Sequence, residues 1–313
     1  MKYRPLSLKS ARSYSLCARK SKVSINSLAR TPVRGDTLHD FLGKLPDVLA
    51  VKDFRRVVQA IASARRDDRP VILGMGAHPL KLGLSPVITD LLKKKVITAV
   101  AVNGACAVHD FELALVGHTS EDVAMELCTG TFGMAQETGK GVNAAIKKGV
   151  KKGYGAGKAV GEYIHKGKFP FREKSLFANA FSLDIPITVH IAIGTDIVHM
   201  HPQADGGAIG KATMTDFRLF ASVVSDLEGG VYINLGSAVV LPEVFLKALN
   251  IARNLGRKVE SITTVNMDFI QHYRPRENVL KRPTSVNGSH YALTGHHEIM
   301  FPLLAAALTE EIK

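Results

Sequence analysis

The sequence predicts an α/β fold built on a doubly wound, mainly parallel sheet with helices on both faces. Three observations predict it. Five short apolar runs rich in β-branched residues alternate with segments whose apolar residues recur at helical spacing. The runs end in glycine or Asn-Gly turns, except the last, which ends at Asn266. The stretch 70–117 holds two such runs with a helical period between them, the pattern of a parallel βαβ crossover. In sheets of this Rossmann-like kind, ligands sit outside the carboxyl ends of the strands.

The elements follow in order. Residues 1–35, basic and serine-bearing with Pro5 and Pro32 and no sustained period, are expected to form an extended N-terminal arm, a composition that a transit peptide shares. A short helix within Thr37–Val48 closes at Pro46. Asp53–Arg66 is a clearer helix, with Phe54, Val57, Val58, Ile61 and Ala64 on one face and Arg55, Arg56 and Arg65 on another. Pro70–Leu73 is the first strand, running into Gly74, Gly76, His78 and Lys81. Leu84, Val87, Ile88, Leu91 and Leu92 form a helix that starts near Pro86. Ile97–Val102 is the second strand, and it ends at Asn103-Gly104. Val108, Phe111 and Leu115 resume a helical period, and Thr119–Asp122 reads as another helix start. Two helices, Val142–Lys152 and Ala156–His165, lie in a basic excursion over 139–174. Ile185–Ile193 is the third strand and ends in Gly194-Thr195-Asp196. Helix Met214–Leu227 leads to the fourth strand, Val231–Leu235, and to Gly236-Ser237-Ala238. Pro242 suits the first turn of a helix over Glu243–Leu255. Val259–Val265 is the fifth strand. A polar and aromatic stretch, 270–297, precedes a closing helix over Glu298–Glu310. Residues 36–313 are therefore expected to form one domain, and no internal repeat is visible.

Composition narrows the function classes. The formal charge of +13 sits in two places: 1–35 carries +9 and 139–174 carries +8, which leaves −4 on the rest. Without a zinc-finger, helix-turn-helix or RNA-binding signature, nucleic acid is not the expected partner. No apolar run approaches the roughly 18 residues of a membrane span, so no membrane partner is expected. Cys17, Cys106 and Cys128 make neither a disulfide framework nor a metal-ligand spacing, which favours a reducing compartment and a cytoplasmic location.

Several clusters carry candidate chemistry, each with a plainer alternative. The glycine turns at 74–83, 103–106, 194–196 and 236–238 can line a dinucleotide cleft or be ordinary tight turns; G-x-G-x-x-G is absent. His199, His201 and Asp205 place two imidazoles and a carboxylate in a short loop. On extended backbone His-x-His points both rings one way, which suits a divalent metal such as zinc. His109 and Asp110 open a helix at the cleft mouth, either as a base with its orienting carboxylate or as a cap. Cys106 can be a thiolate at a helix N-terminus or a small residue beside Gly104. His296-His297-Glu298 can face a ligand or cap a helix.

Five segments together resemble the deoxyhypusine synthase family: VILGMGAHPLKLGLSPVITDLL, VAVNGACAVHDFELAL, IPITVHIAIGTD, INLGSAVV, and RPRENVLKRP followed by HHEIMFPLLAAAL. The similarity covers most of 70–310. It implies an NAD-dependent homotetramer that oxidises spermidine and transfers its aminobutyl group through a lysine imine to a lysine of a translation factor. It places NAD contacts on Gly76, Ala77, His78 and Gly83, and on Asn103, Gly104, Ala105 and Cys106. It adds Asp196 beside Gly194, Gly236, Ser237 and Ala238, Thr264 and Val265, and His296 and His297. The family's catalytic positions differ here. Counting back from Phe301, the imine-forming lysine falls on Pro283, with Lys281 two residues away, and the family's Lys-His-His becomes Leu241, Pro242 and Glu243.

The expected protein is thus a deoxyhypusine-synthase-like paralogue lacking the family's catalytic lysine. It is expected to be an NAD-dependent transferase or oxidoreductase acting on a small amine or polyamine-like substrate, as a homo-oligomer. His109, His199 or His297 would handle protons, with Lys281 or Lys81 for covalent chemistry. The alternatives are a metal enzyme using His199, His201 and Asp205 with His109 or His297, and a non-catalytic binding or assembly protein.

Overall fold

The computed structural model describes residues 3–312. Its centre is one sheet of six parallel strands: β1 (Val71–Met75), β2 (Ala99–Asn103), β3 (Ile187–His190), β4 (Val231–Leu235), β5 (Thr263–Asp268) and β6 (Ser289–Thr294). Their order is β3-β2-β1-β4-β5-β6. The chain first builds outward from β1 to one edge, then returns to β4 and builds outward to the other. The strand order therefore reverses between β1 and β4, and that reversal opens a crevice at their carboxyl ends.

Helices α1 (Leu38–Lys44) and α2 (Leu49–Arg66) precede the sheet. α3 (His78–Lys81) and α4 (Ser85–Lys93) join β1 to β2. The long connection from β2 to β3 holds α5 (Gly104–Val116), α6 (Val123–Thr129), α7 (Gln136–Lys151), α8 (Ala156–Lys166) and α9 (Leu176–Ser182). α10 (Gly206–Ser225) and α11 (Val240–Asn254) follow β3 and β4. α12 (Tyr273–Pro275) and a π-helical segment (Arg276–Lys281) follow β5, and α13 (His297–Glu311) follows β6.

Side-chain alternation explains the layers. Along β1, Val71, Leu73 and Met75 enter the larger core with α2, α4, α5 and α13. Ile72 points the other way and joins Phe220, Val224, Phe245 and Leu249 of α10 and α11. Both faces are covered, so β1, β2 and β4 read as continuous apolar runs. Gly74 leaves room for Tyr232, which stacks on Phe245 at 3.8 Å between ring centroids.

Three strand expectations shift, and helix α10 begins at Gly206, well before the expected Met214. β3 is only Ile187–His190, because the chain leaves the sheet edge before Ile193. β5 starts four residues and ends three residues later than expected, and finishes at Asp268. β6 lies in the stretch read as irregular: it is an edge strand with mostly exposed residues, so it lacks the apolar run that marks its neighbours. The arm has two 3-10 turns and leaves large side chains such as Leu6 (89%) and Ile25 (83%) exposed. Among the described residues, no helix is long and apolar enough to cross a membrane.

One buried carboxylate ties three elements together. Asp216 of α10 accepts hydrogen bonds from the backbone N–H of Gly157 (2.9 Å) at the start of α8 and of Val189 (2.8 Å) in β3. Burial raises its pKa to about 7, against the opposing pull of these N–H groups. Between an unfolded value near 3.8 and that folded value, the folded chain holds a proton that the unfolded chain has lost. This carboxyl's contribution to stability is therefore fully present at the acid end of that window and is lost as the pH rises through about 7. Asp216→Asn, neutral throughout, is expected to be most destabilising relative to wild type at the acid end and least at the neutral end. Urea unfolding across the pH series measures this, and a pH-independent difference would contradict it.

Candidate functional site

Parallel strands deliver three turns to the β1/β4 crevice, and glycine lets them meet. A Cβ on Gly76 would lie 2.6 Å from the carbonyl oxygen of Gly236. Gly236 itself has φ +64°, and a Cβ there would lie 2.6 Å from Cε1 of His297. The β4 turn is pinned from below. Asn234 donates to the Ser237 carbonyl (2.9 Å) and to Oδ1 of Asn266 (2.7 Å); Asn266 donates to Gln271 (2.7 Å), which donates to Thr294 Oγ1 (3.2 Å). This amide chain runs across the ends of β4, β5 and β6.

His297, the first residue of α13, is 1% exposed. Neither ring nitrogen has a hydrogen-bond partner among the described residues. Nε2 lies 3.5 Å from Oδ1 of Asp268, the last residue of β5, which itself accepts from the Phe269 N–H (2.8 Å). His78 packs edge-on against His297 at 5.5 Å, and Phe269 lies 5.8 Å from the same ring. His296 stacks on Phe269 from outside. Burial, then the neighbouring His297 and Lys81, lower the pKa of His78, which favours its neutral form. An imidazole held in this way, beside a carboxylate and without other partners, can accept and return a proton.

A second hollow, about 230 Å3, lies beside the β2 and β3 ends and is reached along α3, which runs from His78 to Lys81. Lys81, His109, Glu112, Glu121 and Asp196 line it. His109 Nδ1 is 2.7 Å from Thr119 Oγ1, which donates to Glu112. Thr119 thus accepts from Nδ1–H, leaving Nε2 as the basic nitrogen. Burial, with Lys81 nearby, lowers His109 to about 4, so it is neutral near pH 7. Asp196 lies over Gly104 and accepts from the Ala105 N–H at the start of α5; burial raises it to about 6. This carboxylate occupies the helix N-terminus where the sequence suggests a phosphate.

The other predicted residues divide clearly. Gly76, Ala77, His78, Gly236, His296 and His297 gather at the crevice, while Ala105, His109 and Asp196 line the second hollow; Gly104 lies beneath Asp196, and Asn103 caps α5 by accepting from the Cys106 N–H (3.2 Å). Ser237 lies at the crevice beside Gly76 and Gly236, but its hydroxyl accepts from the Leu241 N–H in the first turn of α11. Gly83 turns the chain between α3 and α4 with φ +76°. Thr264 is buried in mid-strand, opposite Tyr232, away from the carboxyl end. Asp110 is not an orienter for His109: it is fully buried and accepts from Ser175, Leu176 and Phe177 at the start of α9. Lys281 lies on the exposed face of its helical segment and pairs with Glu277 (2.7 Å). Cys106 is buried, which pushes its thiol well up and removes it as a nucleophile.

The metal expectation is corrected. The segment Ile197–Met200 is a 3-10 turn rather than extended backbone, so His199 and His201 diverge. His199 Nδ1 accepts from Gly194 (3.1 Å) and Asp196 (3.3 Å), His201 Nε2 donates to the Gly133 carbonyl (2.8 Å), and Asp205 caps α10 through Ala208. Among the described residues, no group of three or more His, Cys, Asp or Glu side chains is arranged to hold a metal ion. Asp268, Phe269 and Thr119 escaped sequence reading. Asp268 was signalled only by an acid just past a strand that was ended too early.

No family model matches the chain, and no curated protein matches it. Solved structures do. A protein of Entamoeba histolytica designated a deoxyhypusine synthase superposes with TM-score 0.54 at 12% identity, over 88% of this chain and 93% of that one. The two chains share a fold, the doubly wound parallel sheet with helices on both faces. A conserved protein of Methanococcus maripaludis designated LOR/SDH gives TM-score 0.55 at 17% identity, over 84% of this chain and 71% of that one. AgrE, solved with ornithine and NAD+, gives 0.51 at 14% over 82% of this chain, which spans only 32% of AgrE. At these identities the likeness establishes the fold and no activity.

The close approach of the two turns gives a direct test. Gly76→Ala drives a methyl group onto a backbone oxygen and is expected to cost roughly 1–3 kcal/mol. Gly206→Ala, with open space around it, is expected to be neutral or slightly stabilising. Urea midpoints compare the two, and equal midpoints would contradict the packing described.

Proposed function

We propose that the chain is an NAD-dependent enzyme acting on a small amine-type substrate, as an oxidoreductase or transferase. The observation that carries this reading is the buried, unpartnered imidazole of His297 at the β1/β4 crevice, with Asp268 beside it. A buried polar group without a partner costs on the order of 1–3 kcal/mol, and such groups persist where a ligand supplies the partner. The glycines at 76 and 236 leave the backbone bare for a cofactor, and the fold is one that includes an NAD+ complex. When bound, the nicotinamide supplies a two-electron oxidant.

The chain's own groups would do the rest. The 76–78 and 236–238 turns would hold the cofactor, with His296 and Phe269 at its rim. His297 would hold the proton released from the substrate, with Asp268 stabilising the charged ring. Glu112, Glu121 and Asp196 line the second hollow with carboxylates, which suits an ammonium-bearing substrate; His109 stays neutral beside them. Lys81, at the same hollow, replaces Lys281 as the lysine to test for covalent chemistry. A homo-oligomer accounts for the arm, whose apolar side chains need a surface to cover them.

Calorimetry with NAD+ at millimolar concentration is expected to show saturable binding; no heat and no protection against thermal unfolding would overturn the cofactor assignment. His297→Leu removes the unpartnered imidazole. It is expected to leave the melting temperature unchanged or raised while weakening NAD+ binding. A lower melting temperature with unchanged NAD+ affinity would instead make His297 a packing residue.

A further inference from the structure

The outer helix pair carries a groove remote from the strand ends. On α7, Lys140, Ala144, Lys148 and Lys151 share one face; on α8, Ala159, Glu162, Tyr163 and Lys166 do. Between them lies an open hollow of about 930 Å3, within the size range of small-molecule sites. Small residues make its floor. A Cβ on Gly141 would lie 2.2 Å from the Phe111 ring, and one on Gly149 would lie 2.2 Å from Cβ of Ala159. Phe111, Tyr163 and Phe169 form an apolar wall, with Phe111 and Phe169 edge-to-face at 5.2 Å.

Cations ring this floor. Lys140, Lys148, Lys151, Lys152, Lys166 and Lys168 line the groove against two acids, Glu137 and Glu162. Glu162 pairs with Lys152 (2.6 Å) and Lys166 (2.7 Å), which hold its carboxyl below the usual range and fix both ammonium groups at one end. The Lys148 ammonium lies 5.4 Å from the centre of the Tyr163 ring. Among the described residues, Lys140, Lys151 and Lys168 make no ion pair. No arginine lines the groove, so it lacks the planar fork that recognises carboxylates in pairs; lysines act as point charges suited to phosphate.

We propose that this groove binds a small polyphosphate carrying a planar or apolar body, with the body on the aromatic wall and the phosphates among the lysines. A nucleoside triphosphate and a coenzyme A thioester share that chemistry. The test titrates the full chain with ATP, acetyl-coenzyme A and inorganic tripolyphosphate, with and without saturating NAD+. ATP or acetyl-coenzyme A is expected to bind saturably and more tightly than tripolyphosphate, whether or not NAD+ is present; the tighter of the two identifies the body. Lys148→Gln with Lys151→Gln is expected to weaken it about tenfold or more, and Tyr163→Leu to weaken it without affecting tripolyphosphate. Both variants should melt as wild type does. The proposal is overturned if neither organic phosphate binds or if tripolyphosphate binds as tightly. It is equally overturned if the double variant binds normally, or if single-stranded RNA displaces the ligand and binds more tightly with length. Failure of NAD+ binding alone leaves this groove unaffected.

Discussion

The close approach of the β1 and β4 turns is the constraint on which the rest of the site depends. Two adjacent parallel strands deliver their turns side by side, and at 4.7–4.9 Å between strands there is no room for a side chain between them. Gly76 and Gly236 meet this requirement, and the positive φ of Gly236 turns its open face toward His297. The imidazole fills the space that a Cβ would have taken. Its position is therefore set by backbone packing, and the Asn234–Asn266–Gln271 amide chain keeps that packing rigid. The imidazole is thereby held in place without any hydrogen bond of its own.

The buried carboxylates follow a different logic. Asp110, Asp196 and Asp216 each accept backbone N–H groups at a helix or strand end, and burial raises all three. Two of them only join elements: Asp110 starts α9, and Asp216 binds α8 to β3. Asp196 caps α5 and also lines a hollow, so it belongs to structure and to a site at once. The charge excess also separates by place, with the lysines of α7 and α8 gathered on an outer groove and the acids of the second hollow near the strand ends.

Much of the fold was legible because parallel strands buried on both faces read as unbroken apolar runs, and the turns after them need glycine. β6 was hidden because most of Ser289–Thr294 is exposed, unlike the other edge strand, β3, so it carries no apolar run. The site was legible only in part. Glycines and His297 stood out, but the partner of His297, Asp268, lies 29 residues earlier and meets it only through the sheet. The His199–His201 spacing misled because its meaning depends on backbone conformation, and a 3-10 turn splays what a strand would align. Asp110 beside His109 misled likewise: adjacent residues on a helix point apart, and each found its own partner.

A structure of the chain with NAD+ bound tests the central claim most directly. The cofactor is expected across the 76–78 and 236–238 turns, with one nitrogen of His297 gaining a hydrogen-bond partner from cofactor or substrate. Cofactor bound elsewhere, or a His297 ring still buried and unpartnered beneath it, would rule this placement out.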